Sequence, residues 1–288
     1  MTFISPALAS PCPEDFEVEE GEWFAEEKYD GHRLVVEVGL PDRGLGPVVR
    51  AWSRDGKDRL LPPHLRLPLE TLLPGVYDGE LIVPGQRSYG VPVLETLKDQ
   101  VYVLFDVLRV GSDDLTTAGL GAVYADRRAM LEEIVKSTFP TTSITPIAIQ
   151  LAWSRLLVSD ENLHEEALDV WERDGEGLIL KSVASVYAPG KRQKDWLKIK
   201  QVRQAVLRVT GFRPGKLGPH STLVLEDEEG VQTIVKWKSL EELAKLDANP
   251  ESAIGRHLVI EFQELTPDGN YRHPRWDHWA EPDEVGNG

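Results

Sequence analysis

The chain has a single cysteine, no net positive charge and no apolar run of membrane-spanning length. One cysteine, Cys12, permits neither a disulfide framework nor a thiolate cluster for zinc. The seven histidines are scattered, without the close spacing that shared metal ligation requires. The opening MTFISPALASPCPEDFEVEEGEW lacks the basic start and apolar core of a secretory signal and then turns acidic. These absences point to a soluble, intracellular protein.

A formal net charge of −16 counts against a partner as acidic as a nucleic acid. The acids, however, cluster in PEDFEVEEGE, LEDEEG, SLEEL and WAEPDEVGNG, whereas LPPHLRL, APGKRQKDWLKIKQVRQ and YRHPRW are locally basic. An acidic shell around a basic cleft reconciles the two. The length of 288 residues exceeds one average domain and favours two.

Alternating apolar residues predict strands at GEWFAEEKY, HRLVVEV, VVRAWSR, GVYDGELIV and VYVLFDVLRV. Spacing of three and four predicts helices at YADRRAMLEEIVKS and NLHEEALDVWERD, the second followed by the strand GLILKSV. Asp30-Gly31 between the first two strands is the dipeptide of a primed hairpin turn, which would put Lys28 where a strand meets a turn. Beyond KQVRQ the pattern shortens to AVLRVTGFR, STLVLEDE, QTIVKWK and HLVIEFQEL, with one helix at SLEELAKLD, as in a small barrel of the oligonucleotide-binding (OB) type. The expected fold class is therefore α+β, with domains at residues 1–202 and 203–288.

Six short motifs follow one another: EKYDGHR, SRDG at Ser53 to Gly56, YDGEL at Tyr77 to Leu81, LFDVL at Leu104 to Leu108, DGEGLILKS at Asp174 to Ser182 and DWLKIK at Asp195 to Lys200. Singly they are weak. In this order they resemble the nucleotidyltransferase motifs of the ATP-dependent DNA ligases, whose superfamily includes RNA ligases and RNA-capping guanylyltransferases. The resemblance implies an adenylation domain of antiparallel sheets with flanking helices, followed by the OB-type barrel.

It also implies roles. Lys28 would attack the α-phosphate of ATP, and its ammonium would lose its proton under the influence of Lys198, Lys200, Arg33 and a bound metal. Lys198 and Lys200 alternate with apolar residues and share a strand face, so both can reach one phosphate; the alternative, protection of a sheet edge, is the weaker reading beside the other motifs. Glu26 would accept from the adenine amino group, and Arg33 and Glu80 would hold the ribose. Arg54 would meet a sugar hydroxyl or a phosphate. Phe105 would stack on the base, or else fill the core. Asp106 would brace the site without touching the nucleotide. Glu176 and Glu80 are the candidate ligands for Mg²⁺ or Mn²⁺, which favour one or two carboxylates together with phosphate oxygens.

The closing LVIEFQELTPDGNYRHPRW resembles the end of the barrel in minimal bacterial and phage ligases. Related ligases continue with further basic residues; Asp277, His278, Trp279 and Ala280 stand there instead, leaving Arg272 and Arg275. Lys191, Arg192 and Lys194 are candidate contacts to the DNA backbone. The implied protein is a monomer that seals nicked duplex DNA in the cytoplasm of a bacterial cell or a phage-infected host and has no membrane partner. An RNA ligase, a capping guanylyltransferase and a non-catalytic nucleic-acid-binding module on the same fold remain open at this point.

Overall fold

The computed structural model describes residues 3–13, 15–40, 47–86, 94–140, 148–216, 218–237, 239–247, 249–266 and 268–285. Lys238 at the end of QTIVKWK, Pro267 of TPDG and the last three residues of the acidic tail lie outside these. Two compact units divide the chain at residues 199 and 200. No helix among the described residues is long and apolar enough to cross a membrane.

The first unit contains, in chain order, β1 (Leu8–Pro11), β2 (Trp23–Glu27), β3 (His32–Gly39), β4 (Val48–Ser53), β5 (Asp58–Arg59), α1 (Pro63–Leu69), β6 (Gly75–Ile82), β7 (Val101–Val110) and β8 (Asp113–Asp114). It continues through α2 (Tyr124–Thr138), β9 (Ile149–Leu151), β10 (Ser154–Leu156), α3 (Asp160–Glu172), β11 (Gly177–Ser182) and β12 (Arg192–Lys200). One sheet runs β1-β12-β11-β2-β10; the larger runs β5-β4-β3-β6-β7-β8, with β9 added beside β7. Most pairings are antiparallel, but β1 with β12 and β7 with β9 are parallel. The core of the large sheet packs Leu34, Val36, Tyr77 and Leu104 against Leu65 and Leu69 of α1 and Leu131 and Ile134 of α2. Helix α1 starts within LPPHLRL, where the sequence shows only local basic charge, and runs on to Leu69; Pro63 and Pro68 obscure its pattern.

The hairpin expected at Asp30-Gly31 does not form. Strand β2 pairs with β10 and β11, whereas β3 pairs with β4 and β6, so the segment after Lys28 carries the chain from one sheet to the other. Gly31 is not among the positive-φ glycines, so the turn chemistry that favours Asp-Gly is not in use. A Cβ there would collide with the Leu81 carbonyl oxygen and lie 2.8 Å from Ile82 Cγ2. Close backbone approach is what this glycine permits.

The second unit contains β13 (Arg203–Gly215), β14 (Gly218–Glu226), β15 (Gln232–Lys236), α4 (Leu240–Asp247), β16 (His257–Phe262) and β17 (Arg275–Trp279). Its antiparallel sheet runs β15-β14-β13-β16-β17. Irregular pairing at Val209/Gly211 and Arg213/Gly215 bends the long strand β13, as closing a small barrel requires. Leu207, Leu223, Leu225, Ile260 and Trp276 fill the interior. Five strands with one helix between the third and fourth make the half-barrel of OB type that the spacing of short strands predicts.

Gly31→Ala should lower the urea midpoint of unfolding by an amount equivalent to about 1–3 kcal/mol, because the crossing backbone must move off β6. A midpoint equal to wild type would show that the approach to Leu81 can relax freely.

Candidate active site

Strand β2 delivers Lys28 to its own end. The Lys28 N–H extends the ladder by donating to the Gly177 carbonyl at 2.8 Å. Helix α3 starts on Ser159, whose hydroxyl accepts from Asn162 N, and ends in two crossed backbone bonds, from Gly175 N to Val170 O and from Asp174 N to Trp171 O. Asp174 takes the left-handed conformation, φ 63°, that this ending requires. The reversal sets Glu176 at the mouth of β11, opposite the end of β2, where its Oε2 is ion-paired with Lys28 Nζ. Their side chains are 22% and 16% exposed, so the pair can be reached by a ligand.

Arg33 and Glu80 face each other across β3 and β6. Arg33 grips Asp78 through two bonds of 2.6 Å, from Nε and Nη2, and its guanidinium lies 4.4 Å over the Phe105 ring. Asp78 is fully buried and also accepts from Tyr187 Oη at 2.5 Å. Burial raises the Glu80 carboxyl to about 8, with Arg33 and Lys28 opposing and Asp78 and Glu176 reinforcing the shift. The same electrostatic neighbours show that the motifs EKYDGHR, YDGEL and DGEGLILKS converge on one place. A protonated Glu80 suits a ribose hydroxyl and can bind a cation only after losing its proton.

Glu26 is nearly as buried as Asp78, at 3% exposure. Its Oε1 accepts from Tyr124 Oη, its Oε2 is 2.7 Å from Lys181 Nζ, and Arg128 Nη1 stands 3.8 Å from Oε1. Lys181 also donates to the Phe105 carbonyl at 3.3 Å and lies 4.9 Å from the Phe105 ring, so Glu26 and Phe105 belong to one site. Burial lowers the Lys181 ammonium from its usual range, while Glu26 and Asp106 oppose this. Phe105 is 8% exposed and packs with Val101, Val103 and Ala152, so the core and stacking readings of this ring are not exclusive. Asp106 is held by a bidentate pair with Arg127, both side chains fully buried, a bracing arrangement with nothing left for a nucleotide.

Tyr124, Arg127, Arg128, Lys181, Asp78 and Tyr187 are absent from the sequence-based site. A signal existed for the arginines: they fall on the buried face of α2 with Tyr124, Leu131 and Ile134.

The remaining candidates are more dispersed. Lys198 and Lys200 are half-buried on β12, in the same sheet as Lys28 but two strands away. Arg54 is exposed in the turn closed by Gly56 N to Ser53 O at 2.9 Å. Lys191, Arg192 and Lys194 are exposed, and Arg192 donates to the Ala9 carbonyl. In the second unit Arg272 is ion-paired with Glu264, and Arg275 is exposed on β17. Among the described residues no three acidic, histidine or cysteine side chains form a metal cage. Glu176 and Glu80 provide two carboxylates, which fits Mg²⁺ only if phosphate oxygens and water complete the shell.

Residues 6–200 match the family described as ATP dependent DNA ligase domain. This chain belongs to the ATP-dependent DNA ligase family. It is 30% identical to a probable DNA ligase of Streptomyces griseus over 89% of its length and 54% of that protein's. It is 29% identical to DNA ligase C2 of Mycolicibacterium smegmatis over 88% of this chain and 69% of the relative. The chain thus spans from about half to about two-thirds of the length of these ligases. A solved structure of a Lig E DNA ligase superposes with a TM-score of 0.71 at 20% identity, covering 97% of this chain and 100% of that one, which shows the ligase fold.

The raised Glu80 carboxyl generates a pH test. A folded pKa near 8 against the ordinary 4.5 means that its contribution to stability is fully present below 4.5 and is lost as pH rises through 8. Glu80→Gln removes this titration. Its melting temperature relative to wild type should therefore rise from pH 5 to pH 8.5, measured by thermal denaturation without nucleotide or metal. A constant difference would show that Glu80 is not held protonated.

Proposed function

We propose that the protein is an ATP-dependent DNA ligase that seals nicks in duplex DNA, acting as a monomer with residues 1–202 holding the nucleotide chemistry and residues 203–288 supplying DNA contacts. The observation that carries the reading is the partly exposed Lys28–Glu176 pair, set beside Arg33 and Glu80 by strands of two different sheets. A lysine at a strand end, accessible and fixed by one carboxylate, suits a nucleophile better than a structural cation.

In the first step Lys28 Nζ forms a bond to the α-phosphorus of ATP, the bond to the β-phosphate oxygen breaks, and pyrophosphate leaves. The ammonium must first give up its proton, and Glu176 is the acceptor in contact with it. The lysyl-AMP then passes its adenylyl group to the 5′-phosphate at a nick, restoring the free lysine. Attack by the 3′-hydroxyl forms the phosphodiester and releases AMP. Glu80 and Arg33 position the ribose, Phe105 the base, and Lys198 and Lys200 the phosphates. Glu176 and Glu80 would hold Mg²⁺ or Mn²⁺, which when bound neutralises phosphate charge. Lys191, Arg192, Lys194, Arg54, Arg272 and Arg275 are the proposed contacts to DNA or nucleotide phosphates.

Incubation with labelled ATP or GTP and metal, followed by a nicked-duplex assay, tests the reading. ATP should give an acid-labile adduct and sealed product, Lys28→Ala should give neither while melting as wild type does, and GTP should label at least about tenfold less because its 6-oxo group faces the Glu26 acceptor. Equal labelling by GTP would favour a capping enzyme, and an adduct on Lys28→Ala would place the nucleophile elsewhere. Exposed Arg275 supplies a separate check: Arg275→Ala should weaken binding to nicked duplexes of any sequence alike and reduce the slope of log affinity against log salt by about 1.

A further inference from the structure

Helix α2 contributes a residue to the base end of this site that none of the six motifs contains. Arg128 is 6% exposed, and its guanidinium is committed on two sides: Nε donates to Glu132 at 2.6 Å and Nη2 to the Ala152 carbonyl at 2.9 Å. The third side is Nη1. It has no hydrogen-bond partner and is buried 3.8 Å from Glu26 Oε1. That distance compensates charge but makes no hydrogen bond, and a buried donor left unmade costs about 1–3 kcal/mol. A second buried polar atom without a partner, Ser154 Oγ, lies at the same place, because Ser154 stands opposite Glu26 in the β10–β2 ladder. Two unsatisfied groups beside one carboxylate mark a place completed by a polar ligand.

The chemistry of that ligand follows from the donor set. Tyr124 and Lys181 each take one acceptor position on Glu26, which leaves a carboxylate lone pair for an incoming N–H. Beside it Arg128 offers an N–H and needs an acceptor. The complementary partner is a donor with an acceptor adjacent, as in the 6-amino group of adenine beside a ring nitrogen. Guanine places a 6-oxo acceptor against the carboxylate and fails. We propose that Arg128 is a base-reading residue, donating from Nη1 to the ring nitrogen next to the adenine amino group while Glu26 accepts from that amino group. The proposal rests on the adenylylation reading above and deepens it: nucleotide selection uses a pair of residues, one in a motif and one on a helix.

The test is equilibrium binding of ATP, 1-deaza-ATP and 7-deaza-ATP in metal-free buffer, to wild type, Arg128→Met and Arg128→Lys, with melting curves for each. Wild type should bind one deaza analogue about ten- to a hundredfold more weakly than ATP, the usual range for a hydrogen bond to a charged donor. In Arg128→Met, ATP should fall to the affinity of that analogue, whose own affinity should not change. Arg128→Lys should keep part of the preference. If Arg128→Met does not melt cooperatively, the wild-type series with Arg128→Lys decides alone. Equal binding of all three nucleotides by wild type would overturn the proposal, as would an Arg128 variant that weakens ATP and both analogues by one factor, since a residue that only supports the fold acts uniformly. Absence of ATP binding to wild type would instead sink the ligase reading itself.

Discussion

The first unit depends on a layer of charge buried between its two sheets. Asp78, on the large sheet, accepts three bonds, two from Arg33 and one from Tyr187. Tyr187 in turn accepts from Ala7 N at 2.9 Å, next to β1 of the smaller sheet. A carboxylate with no exposure is tolerable only when its lone pairs are filled in this way. Removing one partner of such a group typically costs about 3–5 kcal/mol, so the layer fixes how the sheets meet more firmly than apolar contact alone would. The apolar residues around it, Val35, Val76, Leu108 and Trp196, exclude water and make that cost larger.

Reactive and structural charges are thereby separated by exposure. Arg127 with Asp106, and Arg33 with Asp78, sit with at least one member fully buried and with most donors and acceptors used. Lys28 and Glu176 stand at strand ends where the layer opens, paired with each other and partly exposed. Glu80 lies between the regimes, close enough to both that burial shifts it toward the neutral acid. A nucleotide bound here, as proposed, would meet preset dipoles and charges and need little rearrangement of the scaffold.

Much of this was legible in the sequence, for reasons that differ by residue. The ten-residue run VYVLFDVLRV is β7 at both ends, because a strand covered on both faces leaves an uninterrupted apolar signature. Lys28 and Glu176 stand beside the ends of β2 and β11, and Glu80 lies on β6, all within or beside strand segments that the alternating pattern shows. Asp30-Gly31 misleads because the dipeptide reports a local backbone preference, whereas Gly31 is needed for its distance to β6, a tertiary fact. The partners of Glu26 are hidden for the same reason. Tyr124 lies 98 positions away, and an arginine within RRAMLEE looks like a solvated helix face until its position on the apolar stripe is weighed.

That hidden pairing also revises what the charge balance says about DNA. Counting lysine and arginine treats all 32 as available to phosphate. Arg33, Arg127 and Arg128 are consumed inside the first unit, and Arg109 is paired with buried Glu37. Arg272 is tied to Glu264. Exposed acids such as Glu161 and Glu165 on α3 add to the outward negative charge. The total of 32 therefore overstates the cations available to a phosphate backbone, although exposed ones such as Lys191, Lys194 and Arg275 remain. With a net charge of −16, the proposed contact with DNA would depend on where the exposed cations stand rather than on the sum of charge.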